Sequence, residues 1–186
     1  MKINLGCAGY KKEGYVNVDW LQSLSPEVVH DLNIFPYPFE TESADLIESF
    51  HSLEHLDKPF LVMKEMHRIL KVGGLLHLKV PHFSRGFTHA EHEHGFDVTL
   101  PLYFDKRFSH SGYFGVDFEL QKMQLHWLAW FHFLPLMGYG VLSIKMLRLA
   151  NACISGIANI SPSFASRIWC FWVGGFDEIE FVFRKS

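Results

Sequence analysis

Short apolar runs, set apart by polar or Gly- and Pro-bearing stretches, dominate the first eighty residues. Lys2-Ile-Asn-Leu5 leads straight into Gly6-Cys-Ala-Gly9, a strand followed by a glycine turn. Tyr15-Val-Asn-Val-Asp19 is a second short run that ends in an acid. Glu27-Val-Val-His-Asp31 reads as a third strand, Ala44–Phe50 as a fourth, and Leu75–Val80, closed by Pro81, as a fifth. Between the last two, Phe60, Leu61, Met63, Met66, Ile69 and Leu70 recur at helical spacing. Asp57 is the expected N-cap of that helix, Pro59 an early helical position, and Val72-Gly73-Gly74 its stop. Strands separated in this order by helices or loops imply an α/β fold with a mostly parallel sheet covered on both faces.

The crossover from Gly6 to Val16 is too short for a full helix, because a parallel connection usually takes a dozen or more residues. Trp20 to Ser25 reads as loop or a single helical turn, and Leu32 to Phe39 as an extended, Pro-broken loop. Past Pro81 the pattern loosens. Phe83 to Phe108 is rich in His, Phe and Gly without periodicity, which suggests an active-site loop or lid. Asp117–Trp127 and Phe176–Arg184 alternate apolar and polar residues as strands do. They are expected to pair as an antiparallel C-terminal edge on the sheet, making seven strands. Between them Met123–Ile144 and Leu149–Ser166 contain no Asp, Glu, Lys or Arg. An apolar helical insert is expected over about residues 128–165.

With 186 residues the chain is sized for one domain, taken as 1–186. A formal charge of -3, with Lys and Arg scattered, argues against nucleic acid as a partner. Cys7, Cys153 and Cys170 cannot all pair and show no CxxC spacing, which fits a reducing compartment. The opening residues do not read as a signal peptide, so a cytoplasmic protein is expected.

Ligands of parallel sheets sit outside the carboxyl ends of the strands. Gly6–Gly9, Asp19, Asp31, Phe50–His51 and Pro81–His82 all fall at such ends, and their convergence points to one crevice. Glycine there permits positive φ and close approach of a ligand. An acid at the end of the second strand is placed to accept hydrogen bonds from a ribose diol. The stretch Pro81–His94 holds His82, His89, His92 and His94 with Glu91 and Glu93. It can be read as a metal site, as an acceptor pocket in which His82 or His92 is the general base, or as a solvated loop. The base reading is the one adopted, and no metal ligands are assigned. The apolar insert is read as a helical cover over the crevice, touching a membrane surface. Lys145 and Arg148 beside Met146, Leu147 and Leu149 suit interfacial docking. The alternatives are a core helix or a homodimer contact.

Asn4-Leu-Gly-Cys-Ala-Gly9, Asn17-Val-Asp19, Asp31-Leu32, Pro36-Tyr-Pro-Phe39, His51-Ser-Leu-Glu-His55 and Glu65–Gly74 resemble the class I S-adenosylmethionine-dependent methyltransferases. The likeness is nearest to a small, type 11-like branch found among polysaccharide-biosynthesis genes, and it covers about residues 2–95. The resemblance implies a Rossmann-like three-layer sandwich and S-adenosyl-L-methionine as cofactor. The Gly6-Cys7-Ala8-Gly9 turn would cradle its methionine part. Asp19 would bind the ribose hydroxyls, Asp31 and the Leu32 backbone the adenine, and Phe50 and His51 would line the sulfonium side. It departs from the family at Ala8, where a glycine is usual, and at Asn4, where an acid is common. The implied activity is methyl transfer to a small-molecule, sugar or lipid-linked glycan acceptor. A non-catalytic binding module on the same fold is the alternative, with the apolar C-terminal region as its interface. A His-rich metal-dependent enzyme on the same sheet is the third reading.

Overall fold

Seven strands form one sheet in the computed structural model, which describes residues 1–86, 89–108 and 112–186. They are β1 (Lys2–Leu5), β2 (Val16–Asp19), β3 (Val28–Val29), β4 (Ala44–Phe50), β5 (Leu70–Pro81), β6 (Phe118–His126) and β7 (Glu178–Lys185). Their spatial order is β3-β2-β1-β4-β5-β7-β6. The pairs from β3 to β5 are parallel, and β7 runs antiparallel between β5 and β6. The Rossmann-like class and the antiparallel C-terminal edge are therefore as expected.

The period-2 alternation of the strands separates two unlike faces. Ile47, Leu76, Leu78, Val80, Ile179, Phe181 and Phe183 lie buried on one face. Helix α1 (Pro59–Ile69) adds its buried Val62, Met63, Met66 and Ile69 to the same core. Phe104 sits against Phe60, Phe114 and Phe118, and Phe118 against Phe183.

The other face carries Glu48, Phe50, His77, Lys79, Glu178 and Glu180, a ladder of alternating charge. Lys12 pairs with Glu48 at 2.5 Å, His77 with Glu180 at 2.8 Å, Lys122 with Glu180 at 3.1 Å and Lys79 with Glu178 at 3.0 Å. Burial works against the charge of Glu180, but hydrogen bonds from Lys122, His126 and His77 outweigh it and bring its pKa down to about 2. The connections that join β1 through β4 contain no α-helix. The short crossover instead runs as a turn, held by the Asn4 side-chain amide donating to Asn17 Oδ1 at 2.9 Å and to the Tyr10 carbonyl at 3.1 Å.

Several local expectations are corrected. The N-cap of α1 is Lys58, not Asp57, and it makes no side-chain cap bond. Nor do Gly73 and Gly74 stop the helix: Leu70 is already extended and pairs with Ala44, because strand pairing captures the chain first. The third strand shrinks to Val28–Val29, the only residues in ladder register with β2. The stretch Phe83–Phe108 divides in two. After a single turn, α2 (Phe83–Gly86), residues near the crevice follow, whereas Phe96, Val98, Leu100 and Phe104 are buried core, not lid. Phe87 and Thr88, which fall in the same expected lid, lie outside the described residues.

The insert begins with turns over residues 131–138 and continues as α3 (Val141–Ala158) and α4 (Pro162–Arg167). Three polar side chains moor α3 to the body. Asn159 bonds the backbone of Leu125, Ser155 accepts from the Trp127 amide, and Asn151 accepts from the Leu128 amide.

Candidate active site

Two cavities adjoin at the carboxyl ends of the parallel strands. The first, about 680 Å³, lies beyond β1, β2 and β4 and is lined by Gly6, Ala8, Asp19, Asp31, Leu32 and His51, among others. Gly6 has φ +66, and a Cβ built there would stand 2.5 Å from Ser52 Cβ. Only glycine meets both demands. Ala8 is left-handed too, at φ 44. Its amide donates to Asp19 Oδ2 at 2.8 Å, and the Leu21 amide donates to Oδ1 at 3.0 Å. Asp19 thus fastens the glycine turn while each of its oxygens keeps a further lone pair. Asp31 accepts from the Asn33 amide at 2.9 Å, an Asx turn on the rim.

His51 belongs to both cavities. Its φ is 52, and its Nε2 lies 2.6 Å from Glu178 Oε2. Burial opposes its charge, but Glu178 and Glu54 outweigh burial and raise its pKa to about 9.

The second cavity, about 870 Å³, has a polar floor and an apolar wall. The floor holds Glu54, His55, His89 and His92; the wall includes Trp130, Phe133, Leu136 and Met137. Glu54 is fully buried, and neither carboxylate oxygen has a hydrogen-bond partner among the described residues. Burial pushes the His92 pKa down, which keeps the ring neutral near pH 7. Arg85 braces the rim, donating to Asp177 and to the Trp127 carbonyl at 2.8 Å each.

Four expected site residues lie elsewhere. Phe50 points to the charged face, 4.1 Å below the Lys12 ammonium and edge-on to His77. Cys7 is buried beneath the turn, and Gly9 has open space where a Cβ would be; neither lines the cavity. His82 is completely buried between Ser84 and Ser166, outside both cavities. The Ser84 amide donates to its Nδ1, so Nε2–H donates to Ser166, which in turn donates to Asp97. Burial lowers the His82 pKa to about 4, and this neutral bridge replaces the general base expected there. Sequence reasoning missed Glu178, 127 residues from its partner His51. Glu54 and His55 line the second cavity although the sequence assigns them no role; they stand in the same His51–His55 stretch as His51.

Residues 15–78 match the family model described as a methyltransferase domain. No curated protein sequence matches the chain. Among solved structures, a protein of Galdieria sulphuraria described as a sarcosine dimethylglycine methyltransferase is similar with a TM-score of 0.60 and 14% identity, covering 100% of this chain and 77% of that one. A methyltransferase-like protein of Bacillus halodurans C-125 is similar with 0.59 and 14%, covering 99% and 91%. An S-adenosylmethionine-dependent methyltransferase of Archaeoglobus fulgidus is similar with 0.58 and 16%, covering 99% and 85%. At these identities the structures speak for the fold. The family match is confined to residues 15–78, and the fold over the whole chain is one shared with S-adenosylmethionine-dependent methyltransferases. S-adenosylmethionine is the cofactor that a methyltransferase domain of this fold implies. The first cavity fits it: a turn that excludes any Cβ at Gly6, an acid at the end of β2 and apolar Leu32 stand together on its wall.

Proposed function

We propose that the protein methylates an amphiphilic acceptor, in the class of lipid-linked glycans, at a membrane surface. S-adenosylmethionine would lie in the first cavity, with its methionine part against Gly6 and Ala8, its ribose at Asp19 and its adenine near Asp31 and Leu32. The acceptor would lie in the second. The sulfonium supplies an activated methyl group, so the chain's main contribution is proximity and orientation across the boundary at His51.

The observation that carries the acceptor class is the outer wall of the second cavity. Leu136 and Met137 are 82% and 70% exposed, and Phe133 is 46% exposed. The exposed apolar surface continues along the outer side of α3 with Leu142, Met146, Leu149 and Ile157. No acid occurs between Glu119 and Asp177, whereas Lys122, Lys145, Arg148 and Arg167 fall within that segment of a chain with net charge -3. Lys122 and Arg167 pair with Glu180 and Asp97, which leaves Lys145 and Arg148 of α3 as the cations beside the exposed apolar face, an arrangement that suits the interface of an anionic bilayer. Helix α3 is long and apolar enough to cross a membrane by length and composition. Its mooring through Asn151, Ser155 and Asn159 favours lying on the surface instead.

The test is flotation with phosphatidylglycerol vesicles, followed by methyl transfer from labelled S-adenosylmethionine to lipid-linked saccharides in those vesicles. Salt-sensitive flotation that is lost in L136D/M137D supports the reading. A stable dimer in solution that ignores vesicles would assign the same surface to a second copy. Cofactor binding with no transfer to any acceptor would favour a non-catalytic module.

A further inference from the structure

The polar floor of the second cavity has a feature that methyl transfer does not require. Glu54 is a carboxylate with no solvent exposure and no hydrogen-bond partner on either oxygen among the described residues. Its nearest ring nitrogens are His51 Nδ1 at 3.4 Å and His92 Nε2 at 3.9 Å. His51 spends its Nε2 on Glu178 at 2.6 Å and turns Nδ1 toward Glu54, so it balances part of the carboxylate's charge without closing a hydrogen bond to it. His51 offsets its charge, but a buried carboxylate whose two oxygens accept no hydrogen bond still has lone pairs that a metal ion would satisfy.

The two histidines beside it are set in one tautomer. His55 Nδ1 lies 3.0 Å from the Glu91 carbonyl and His92 Nδ1 lies 2.5 Å from the Gly86 carbonyl. A carbonyl can only accept, so both rings carry the proton on Nδ1 and keep a bare lone pair on Nε2. Metal-ligating histidines show the same outer partners, which fix the ring and raise its basicity. One donor atom from each of Glu54, His55 and His92 lies within 4.8 Å of the others. Binding at about 2.0–2.2 Å would draw these side chains together by small rotations.

We infer that Glu54, His55 and His92 form a three-ligand site for a divalent transition-metal ion, zinc in the first instance, with its open positions facing the acceptor cavity. Two imidazoles and one carboxylate suit zinc or iron and not magnesium or calcium, which prefer all-oxygen shells. Three protein ligands leave room for an exogenous oxygen ligand, the pattern of a catalytic site rather than a closed structural one. An acceptor hydroxyl is the group such an opening would orient. This last point rests on the proposed methyltransferase reading; the ligand set itself does not.

The test uses the full chain, stripped with a chelator and titrated with Zn²⁺ against a chromogenic competitor, with Co²⁺ as a spectroscopic probe. One equivalent of Zn²⁺ and a visible Co²⁺ ligand-field spectrum are expected. E54Q, H55A and H92A should each weaken Zn²⁺ binding by at least about tenfold. H126A, a histidine on the charged sheet face, should leave it unchanged. Absence of a one-equivalent site overturns the proposal, as does binding insensitive to H55A and H92A. Those two partly exposed positions decide the matter if E54Q does not fold. Titration of the stripped chain with S-adenosylhomocysteine separates the two ideas. Cofactor binding without metal binding defeats this site alone, and metal binding without cofactor binding defeats the methyltransferase reading alone.

Discussion

His51 Nε2 lies 2.6 Å from Glu178 Oε2, joining the end of β4 to the start of β7 at the boundary between the two cavities. Because the His51 pKa is raised to about 9 from an ordinary 6.5, the folded state binds this proton more tightly than the unfolded chain does. The stabilisation is fully present below pH 6.5 and is lost as pH rises through about 9. Glu178→Gln should cost about 3 kcal/mol near neutral pH, as expected for breaking a buried pair. Urea midpoints measured between pH 6 and 10 should fall more steeply for the native chain than for E178Q. Parallel curves would remove the pair from the pH dependence.

Gly6 faces a double constraint, a left-handed φ and a Cβ position 2.5 Å from Ser52 Cβ. Gly6→Ala should cost about 1–3 kcal/mol in backbone strain. It should also abolish calorimetric binding of S-adenosylhomocysteine, because relief of the clash moves the turn that forms the cavity wall. Retained affinity would mean that the cofactor does not approach this turn.

Asp19 has two tasks that substitutions can separate. Asp19→Ala removes the acceptor for the Ala8 and Leu21 amides and should lower both stability and S-adenosylhomocysteine affinity. Asp19→Asn keeps one carbonyl acceptor and sets its NH2 against the other amide, so it should recover part of the stability and little of the affinity. Equal recovery of both would make Asp19 a fastener of the turn and nothing more.

His82 is held neutral in the fold, with a pKa lowered to about 4. The unfolded chain therefore takes up a proton first, and stability should decline as pH falls from 6.5 toward 4. His82→Ala should abolish that component and destabilise the chain by about 1–3 kcal/mol, because the Ser84 amide loses its acceptor and the Ser166 oxygen its donor. Affinity for S-adenosylhomocysteine should stay unchanged; a large loss would return His82 to the site.

The sequence by itself determined the order of the strands' ends and much of the first cavity. Gly6, Ala8, Asp19 and His51 stand at or just past the end of a short apolar run, and a strand followed by a turn is local information. The amphipathic period of α1 and the alternation of β6 and β7 were legible for the same reason. Tertiary structure decided the rest. Phe50 lies one residue beyond the buried Ser49, and the period of two turned it to the charged face. His82 follows the same strand end logic, but Ser166 of α4 closes over it from 84 residues away. Glu178 reaches His51 only because β7 inserts beside β5, a pairing that no local pattern encodes. The insert reads as apolar throughout; which side of α3 faces outward is set by three polar side chains anchored to the end of β6 and the loop that follows it. Local periodicity reports which residues want burial, whereas the partner and the side are fixed by contacts between segments far apart in the chain.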